Sequence, residues 1–156
     1  MNNEREFLRK SFELALESIR SEGGPFGALI VRDEKIIAVG QNRVVSSSDP
    51  TAHAEIQAIR AACESLQTHD LSGHTIFTSC EPCPMCLGAI YWARIDRIWY
   101  GASREDACQA GFDDQLFYNE INTEPEKRLV PIARSLATEA VRVFDAWKTK
   151  ADKVPY

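Results

Sequence analysis

Two short stretches, Thr51-Ala52-His53-Ala54-Glu55 and Glu81-Pro82-Cys83-Pro84-Met85-Cys86, constrain this chain more than any other feature. One imidazole and two thiols can share a zinc ion, so a fold that uses them must bring two separated segments to one point. Three protein ligands leave a tetrahedral zinc with one open position, the arrangement of a catalytic rather than a structural site. A water there loses its proton near neutral pH, and Glu55, two residues from the imidazole and not needed as a ligand, can move protons for it. The spacing also predicts where the ligands sit. His53 and Glu55 fall in the first turn of one helix, and Cys83 and Cys86 straddle the first turn of another, on one helical face. Pro82 forbids a helix before Cys83, and Pro84 suits the first helical position. Two helix N-termini then converge, and their positive ends favour thiolates and an anionic hydroxide. Two other readings of the cysteines stand beside this one. They can form a redox pair, or a closed structural site with Cys80 as fourth ligand. Glu55 beside His53 favours the open, catalytic site.

The rest of the chain fits a single domain over residues 1–156. Its 44% hydrophobic and 26% charged residues are those of an ordinary globular protein, long enough for a core without disulfides. A net charge of −5 argues against a broad footprint for nucleic acid. No apolar run approaches a membrane span, and the polar start Met1-Asn2-Asn3-Glu4-Arg5-Glu6 is unlike a secretory signal. Five cysteines without an export signal point to reduced thiols and a cytoplasmic location. Cys63 and Cys108 read as small buried apolar residues, and Cys80 as packing beside the site.

Along the chain, Phe7, Leu8, Phe12, Leu14, Ala15, Leu16 and Ile19 recur at helical spacing until Gly23-Gly24-Pro25 ends the helix. Residues 26–31 and 36–40 read as a β-hairpin, and 42–50 as a polar loop. Asp49 or Thr51 is placed to cap the helix that carries His53. Residues 75–79 form an apolar strand leading into the cysteine motif and a helix over about 84–94; residues 97–100 form another strand. Residues 111–114 read as a turn, 129–135 as an edge strand despite Pro131, and Val141, Phe144 and Trp147 as part of a last helix. A hairpin followed by alternating strands and helices gives an α/β protein with a mixed sheet covered on both faces.

His53-Ala54-Glu55 with Pro82-Cys83-Pro84-Met85-Cys86 resembles the zinc-dependent deaminases of the cytidine deaminase superfamily, whose signature is H-x-E with P-C-x-x-C. That resemblance implies a three-layer α/β/α sandwich around a central five-stranded mixed sheet. It also implies one Zn2+ per subunit held by His53, Cys83 and Cys86, with Glu55 as proton shuttle. The likeness extends over nearly the whole chain to the bacterial guanine deaminase branch. It runs through Gly23-Gly24-Pro25-Phe26-Gly27-Ala28, Asp49–Glu55, Thr78–Ala93 and Ala110-Gly111-Phe112-Asp113-Asp114. The last of these and the tail ending in Tyr156 resemble the guanine branch specifically; the earlier ones are shared with other branches, including tRNA adenosine deaminases.

By that resemblance the reaction is hydrolytic deamination of a purine base, guanine to xanthine and ammonia, with Glu55 moving the protons. Asn42 would hydrogen-bond the purine, with Ala54 among its contacts, and Phe26 and Trp92 would stack on it or wall it. Asp114 would meet the polar edge of guanine, and Tyr156 would complete the pocket. The family is dimeric, and a tail over about 150–156 can cross to a partner subunit. Taken without the resemblance, these residues have plainer readings. Asn42 is a turn residue, Phe26 and Trp92 are core aromatics, Asp114 is a helix cap and Tyr156 is terminal surface. Three rival functions remain open at this level: a deaminase of another amine (guanosine, cytosine, ammeline or tRNA adenosine), a non-catalytic zinc-stabilised binding domain, and a thiol redox protein.

Overall fold

A computed structural model describes residues 2–155, without the side chain of Asn2, and the chain separates into two compact units, Met1–Asp114 and Gln115–Tyr156. The first opens with α1, Asn2–Arg20. Its buried residues Ser11, Leu14, Ala15 and Ser18 fall at i, i+3, i+4 and i+7, one stripe of the helix. A hairpin follows, β1 (Gly27–Arg32) and β2 (Lys35–Gln41), then a short helix α2 (Val44–Ser47) inside the expected loop. Next come α3 (Ala54–Leu66), β3 (Thr75–Cys80), α4 (Pro84–Trp92), β4 (Arg97–Ala102) and α5 (Arg104–Gln109).

The strands form one mixed sheet in the order β2-β1-β3-β4. β1 is antiparallel to both β2 and β3, while β4 runs parallel to β3. Central β1 is apolar on both faces. Leu29 and Val31 cluster with Leu14 of α1 and Phe77 of β3. Ala28 and Ile30, pointing the other way, cluster with Ala54, Ala58 and Ala62 of α3 and Ile90 of α4. Two glycines permit the helices to lie this close. A Cβ at Gly27 would stand 2.5 Å from the Ser11 carbonyl oxygen of α1, and one at Gly40 would stand 2.1 Å from the Ala54 carbonyl oxygen of α3. Gly40 thus seats the first turn of α3, where the first motif lies, directly on β2.

The second unit holds α6 (Gln115–Ile121), a 3-10 turn (Pro125–Lys127) and α7 (Ala137–Thr149). No described residue in it is buried.

Four features differ from the sequence expectation. Among the described residues the sheet has four strands, not five. Residues 129–135, expected as an edge strand, pair with no ladder: the Leu129 N–H is taken by the Glu120 carboxylate at 2.8 Å, and Pro131 has no N–H to offer. Neither Asp49 nor Thr51 caps α3. Asp49 Oδ1 accepts from the Thr51 N–H at 2.8 Å and its hydroxyl at 2.7 Å, and the N-cap position falls to His53. Cys108, expected to be buried, is exposed on α5. No helix of the described residues is long and apolar enough to cross a membrane.

Candidate active site

His53 and Cys83 hold equivalent places, the N-cap positions of α3 and α4. Both have extended backbone, and neither side chain caps its own helix, so imidazole and thiol are free to turn toward each other. Pro84 at the first helical position starts α4. Cys86 then follows one turn on, buried, and on the same side as Cys83.

The ligand atoms of His53, Cys83 and Cys86 lie within 4.8 Å of one another, and these three residues form the group able to hold a metal among the described residues. His53 Nδ1 is 3.6 Å from Cys83 Sγ and 3.5 Å from Cys86 Sγ. A tetrahedral zinc with Zn–S of about 2.3 Å and Zn–N of about 2.0 Å has N···S edges of about 3.5 Å. The protein therefore presents its donors at the spacing zinc requires, with Nδ1 as the ligating nitrogen. Cys80 takes another direction: its Sγ lies 3.6 Å from the Ser103 carbonyl oxygen, and burial pushes its pKa up to about 11. It stays a neutral thiol and leaves the group at three protein ligands.

Electrostatics within the group favour a thiolate. Hydrogen bonding from Cys86, and then from His53, lowers the Cys83 pKa to about 4. That bond to Cys83 and burial push Cys86 upward in turn, and hydrogen bonding to Cys83 raises His53. A bound zinc ion would hold both sulfurs as thiolates.

Glu55 sits one residue into α3 and is only 6% exposed. Burial raises its pKa, and the negative charge at Cys83 adds to the effect. A carboxyl beside a metal group with its pKa lifted toward neutrality is matched to taking up and giving back a proton.

The other expected residues divide. Ala54 is fully buried at the start of α3. Asn42, 9% exposed, directly follows β2, with its N–H bonded to the Phe26 carbonyl at 3.2 Å, which sets Phe26 beside it. Asp114 is partly buried, and its pKa is raised by that burial and then by the charge on Cys83, which places its carboxyl within electrostatic reach of the group. Trp92 is not brought to the same place. It ends α4 and is 67% exposed, while Cys83 precedes that helix; at about 1.5 Å per residue the two are roughly 13 Å apart along the axis. Tyr156 lies outside the described residues.

Sequence reasoning overlooked Phe112, whose ring meets Phe26 edge-on with centroids 4.9 Å apart. The turn glycine Gly111 at φ 93° swings it there, and an aromatic between that glycine and Asp113-Asp114 was the available signal. Glu81 was overlooked as well. Its carboxylate accepts the Arg104 N–H at 3.2 Å, tying the cysteine loop to the start of α5 and so to the segment that ends in Asp114.

Residues 1–102 match the model of the cytidine and deoxycytidylate deaminase zinc-binding region. Over 157 aligned residues the chain is 50% identical to guanine deaminase of Bacillus subtilis, covering 100% of both proteins. The crystal structure of a Bacillus subtilis guanine deaminase superimposes with a TM-score of 0.95 over 97% of this chain and 98% of that one. A tRNA-specific adenosine deaminase of Agrobacterium fabrum is 48% identical, but over 58% of this chain and 62% of its own.

Proposed function

The chain belongs to the cytidine and deoxycytidylate deaminase zinc-binding family, a family of zinc-dependent hydrolases, and from that premise we propose that it deaminates guanine to xanthine and ammonia. The observation that carries the reading is three donor atoms at tetrahedral-zinc spacing with a buried, pKa-raised carboxyl beside them. The full-length likeness to a guanine deaminase supplies the substrate, because the likeness to tRNA enzymes stops near two thirds of the chain. A net charge of −5 also opposes polynucleotide binding.

In this proposal His53, Cys83 and Cys86 hold one zinc per subunit. Zinc, when bound, supplies a Lewis acid that acidifies a water molecule. Glu55 would take one proton from that water and pass it to a ring nitrogen of the base, then take the second from the added hydroxyl as the carbonyl forms and pass it to the departing amine, which leaves as ammonia. Its burial serves that task, since a carboxylate of raised pKa is a stronger base toward the water proton, and its acid form still lies nearer neutrality than a hydroxyl or an amine, so the proton can be passed on. Asn42 bonds the base, Ala54 closes against it, and Phe26, backed by Phe112, offers it a ring face. Asp114 accepts from the N–H donors on the polar edge of guanine.

The whole chain acts as one deaminase domain, in a homodimer whose tails over about 150–156 are exchanged, with Tyr156 serving the partner's pocket. What supports the dimer is the second unit taken by itself. It carries Leu116, Phe117, Ile121, Phe144 and Trp147 exposed, more apolar surface than a short segment keeps in water without a covering partner.

The test is to incubate the zinc-loaded protein with guanine, guanosine, adenine, cytosine and ammeline and follow ammonia. Release from guanine is expected, and chelation should abolish it until zinc is restored. Release from guanosine alone would move the substrate to the nucleoside, and release from none would remove the hydrolytic reading.

A further inference from the structure

The Asn42 side chain is held in a way that decides which end of its amide a ligand meets. Its Oδ1 accepts from two backbone N–H groups, Gly24 at 3.4 Å and Val44 at 3.3 Å. A backbone N–H can only donate, so the atom facing this pair is the oxygen, and the NH2 group is the end left for the substrate. The main chain around it is fixed as well. The Asn42 N–H bonds the Phe26 carbonyl, and the Asn42 carbonyl accepts at 3.3 Å from the hydroxyl of the fully buried Ser18 on α1.

Gly24 has a second property. Its φ lies outside the left-handed region, so the backbone there does not call for glycine. Space does: a Cβ would stand 3.2 Å from Asn42 Cγ, 3.3 Å from its Oδ1 and 3.4 Å from the Phe26 ring. Those are the two side chains assigned above to bond and to stack the base, and an added methyl would press on both at once.

We infer that Gly24 is a positioning residue for substrate selection: its N–H, with that of Val44, commits the Asn42 amide to donating, and its missing side chain lets Asn42 and Phe26 stand side by side. A purine is then accepted when it turns a carbonyl oxygen or an unprotonated ring nitrogen toward Asn42, and an exocyclic amine at that place meets a donor instead of an acceptor. The inference rests on the reading that Asn42 faces the base.

The experiment compares Gly24→Ala, Asn42→Ala, Asn42→Asp and the Gly24→Ala/Asn42→Ala double variant, all zinc-loaded, by steady-state kinetics on guanine, zinc content and melting temperature. Gly24→Ala should lower kcat/KM about tenfold, mostly through KM, with zinc content unchanged. Most of that loss should disappear in the Asn42→Ala background, where only the contact with Phe26 is left; a general loss of stability would persist there in full. Asn42→Asp keeps the shape and both backbone bonds but replaces the donor with an acceptor, so it should lose at least about a hundredfold on guanine. It decides the matter should Gly24→Ala fail to fold. Parental kinetics in Gly24→Ala, additivity in the double variant, or full activity in Asn42→Asp overturns the inference. An Asn42→Ala variant with parental KM and kcat instead removes Asn42 from the substrate, which is a failure of the earlier reading.

Discussion

The first 114 residues and the remainder of the chain solve the problem of burial in opposite ways. In Met1–Asp114 each face of the central strand has its helix, and even the two glycines under α1 and α3 are dictated by contact with backbone. In Gln115–Tyr156 the helices α6 and α7 carry apolar residues but bury none of them. The first unit therefore needs nothing further to assemble a metal group, since His53, Cys83, Cys86 and Glu55 all lie within it. The second exposes Leu116, Phe117, Ile121, Phe144 and Trp147, the surface on which the proposed dimer rests. Chemistry and coverage are thus divided along the chain, and the division can be attacked from either side.

The largest effect is expected at Glu55. Glu55→Gln should retain zinc, because the carboxyl is not among the clustered ligands, and should turn over at least about a thousandfold more slowly for want of a proton carrier. Metal analysis alongside kcat checks both halves. Near-parental turnover would remove Glu55 from the mechanism and with it the claim that the chemistry is complete in the first unit.

Gly40→Ala comes next and breaks the scaffold rather than the chemistry. The new methyl would stand 2.1 Å from the Ala54 carbonyl oxygen and 2.5 Å from the Ala58 nitrogen, backbone atoms that cannot swing aside. A loss of about 2–3 kcal/mol is expected from such overpacking, read by denaturant unfolding. Because α3 must lift at the turn that begins with His53, zinc should bind more weakly as well. Unfolding at the parental midpoint would mean that the seat of α3 on β2 is not what places the imidazole.

The second unit is tested by Phe144→Ser with Trp147→Ser on α7, both side chains now exposed in the single chain at 64% and 41%. If they are covered by a partner, the double variant should shift toward monomer in light scattering and lose activity about tenfold, while zinc content holds. An unchanged mass with unchanged kinetics would leave α7 as an ordinary solvated helix and cancel the contrast between the units.

How far the sequence alone could lead follows the same division. Where residues are bound by near neighbours the reading was direct: a proline on either side of Cys83, a Cys-x-x-Cys pair and an alternating apolar strand each act over a single turn or pleat. His53 was placed one position too deep in its helix, because the Asp49–Thr51 side-chain bonds that spend the obvious capping residues are not visible as a pattern. The strand expected over 129–135 failed for a related reason. Its first N–H is captured by Glu120, a contact that no periodicity encodes. The contacts of Phe112 and Gly24, with Phe26 in one case and the Asn42 amide in the other, likewise follow no sequence pattern. Asn42, Asp114 and Tyr156 are suggested only by family resemblance, since an amide, a carboxylate and a phenol far apart in sequence share no spacing rule.

The smallest expected effect separates the two units most finely. α4 is apolar nearly all round: Cys86, Ile90 and Ala93 at its end face inward, while Met85, Tyr91 and Trp92 are exposed. Gly88 lies within that helix, and a Cβ built on it meets nothing within 4 Å. In a single chain Gly88→Ala can only remove backbone freedom from the unfolded state and add helix propensity, so it should stabilise the first unit by about 0.5–1 kcal/mol. Thermal unfolding of the dilute protein should show that gain. The same measurement at high concentration distinguishes two arrangements of the proposed dimer. An undiminished gain leaves the outer face of α4 open and puts all the association on the C-terminal segment, whereas a reversal of sign places a neighbouring subunit against Gly88, where a methyl would collide.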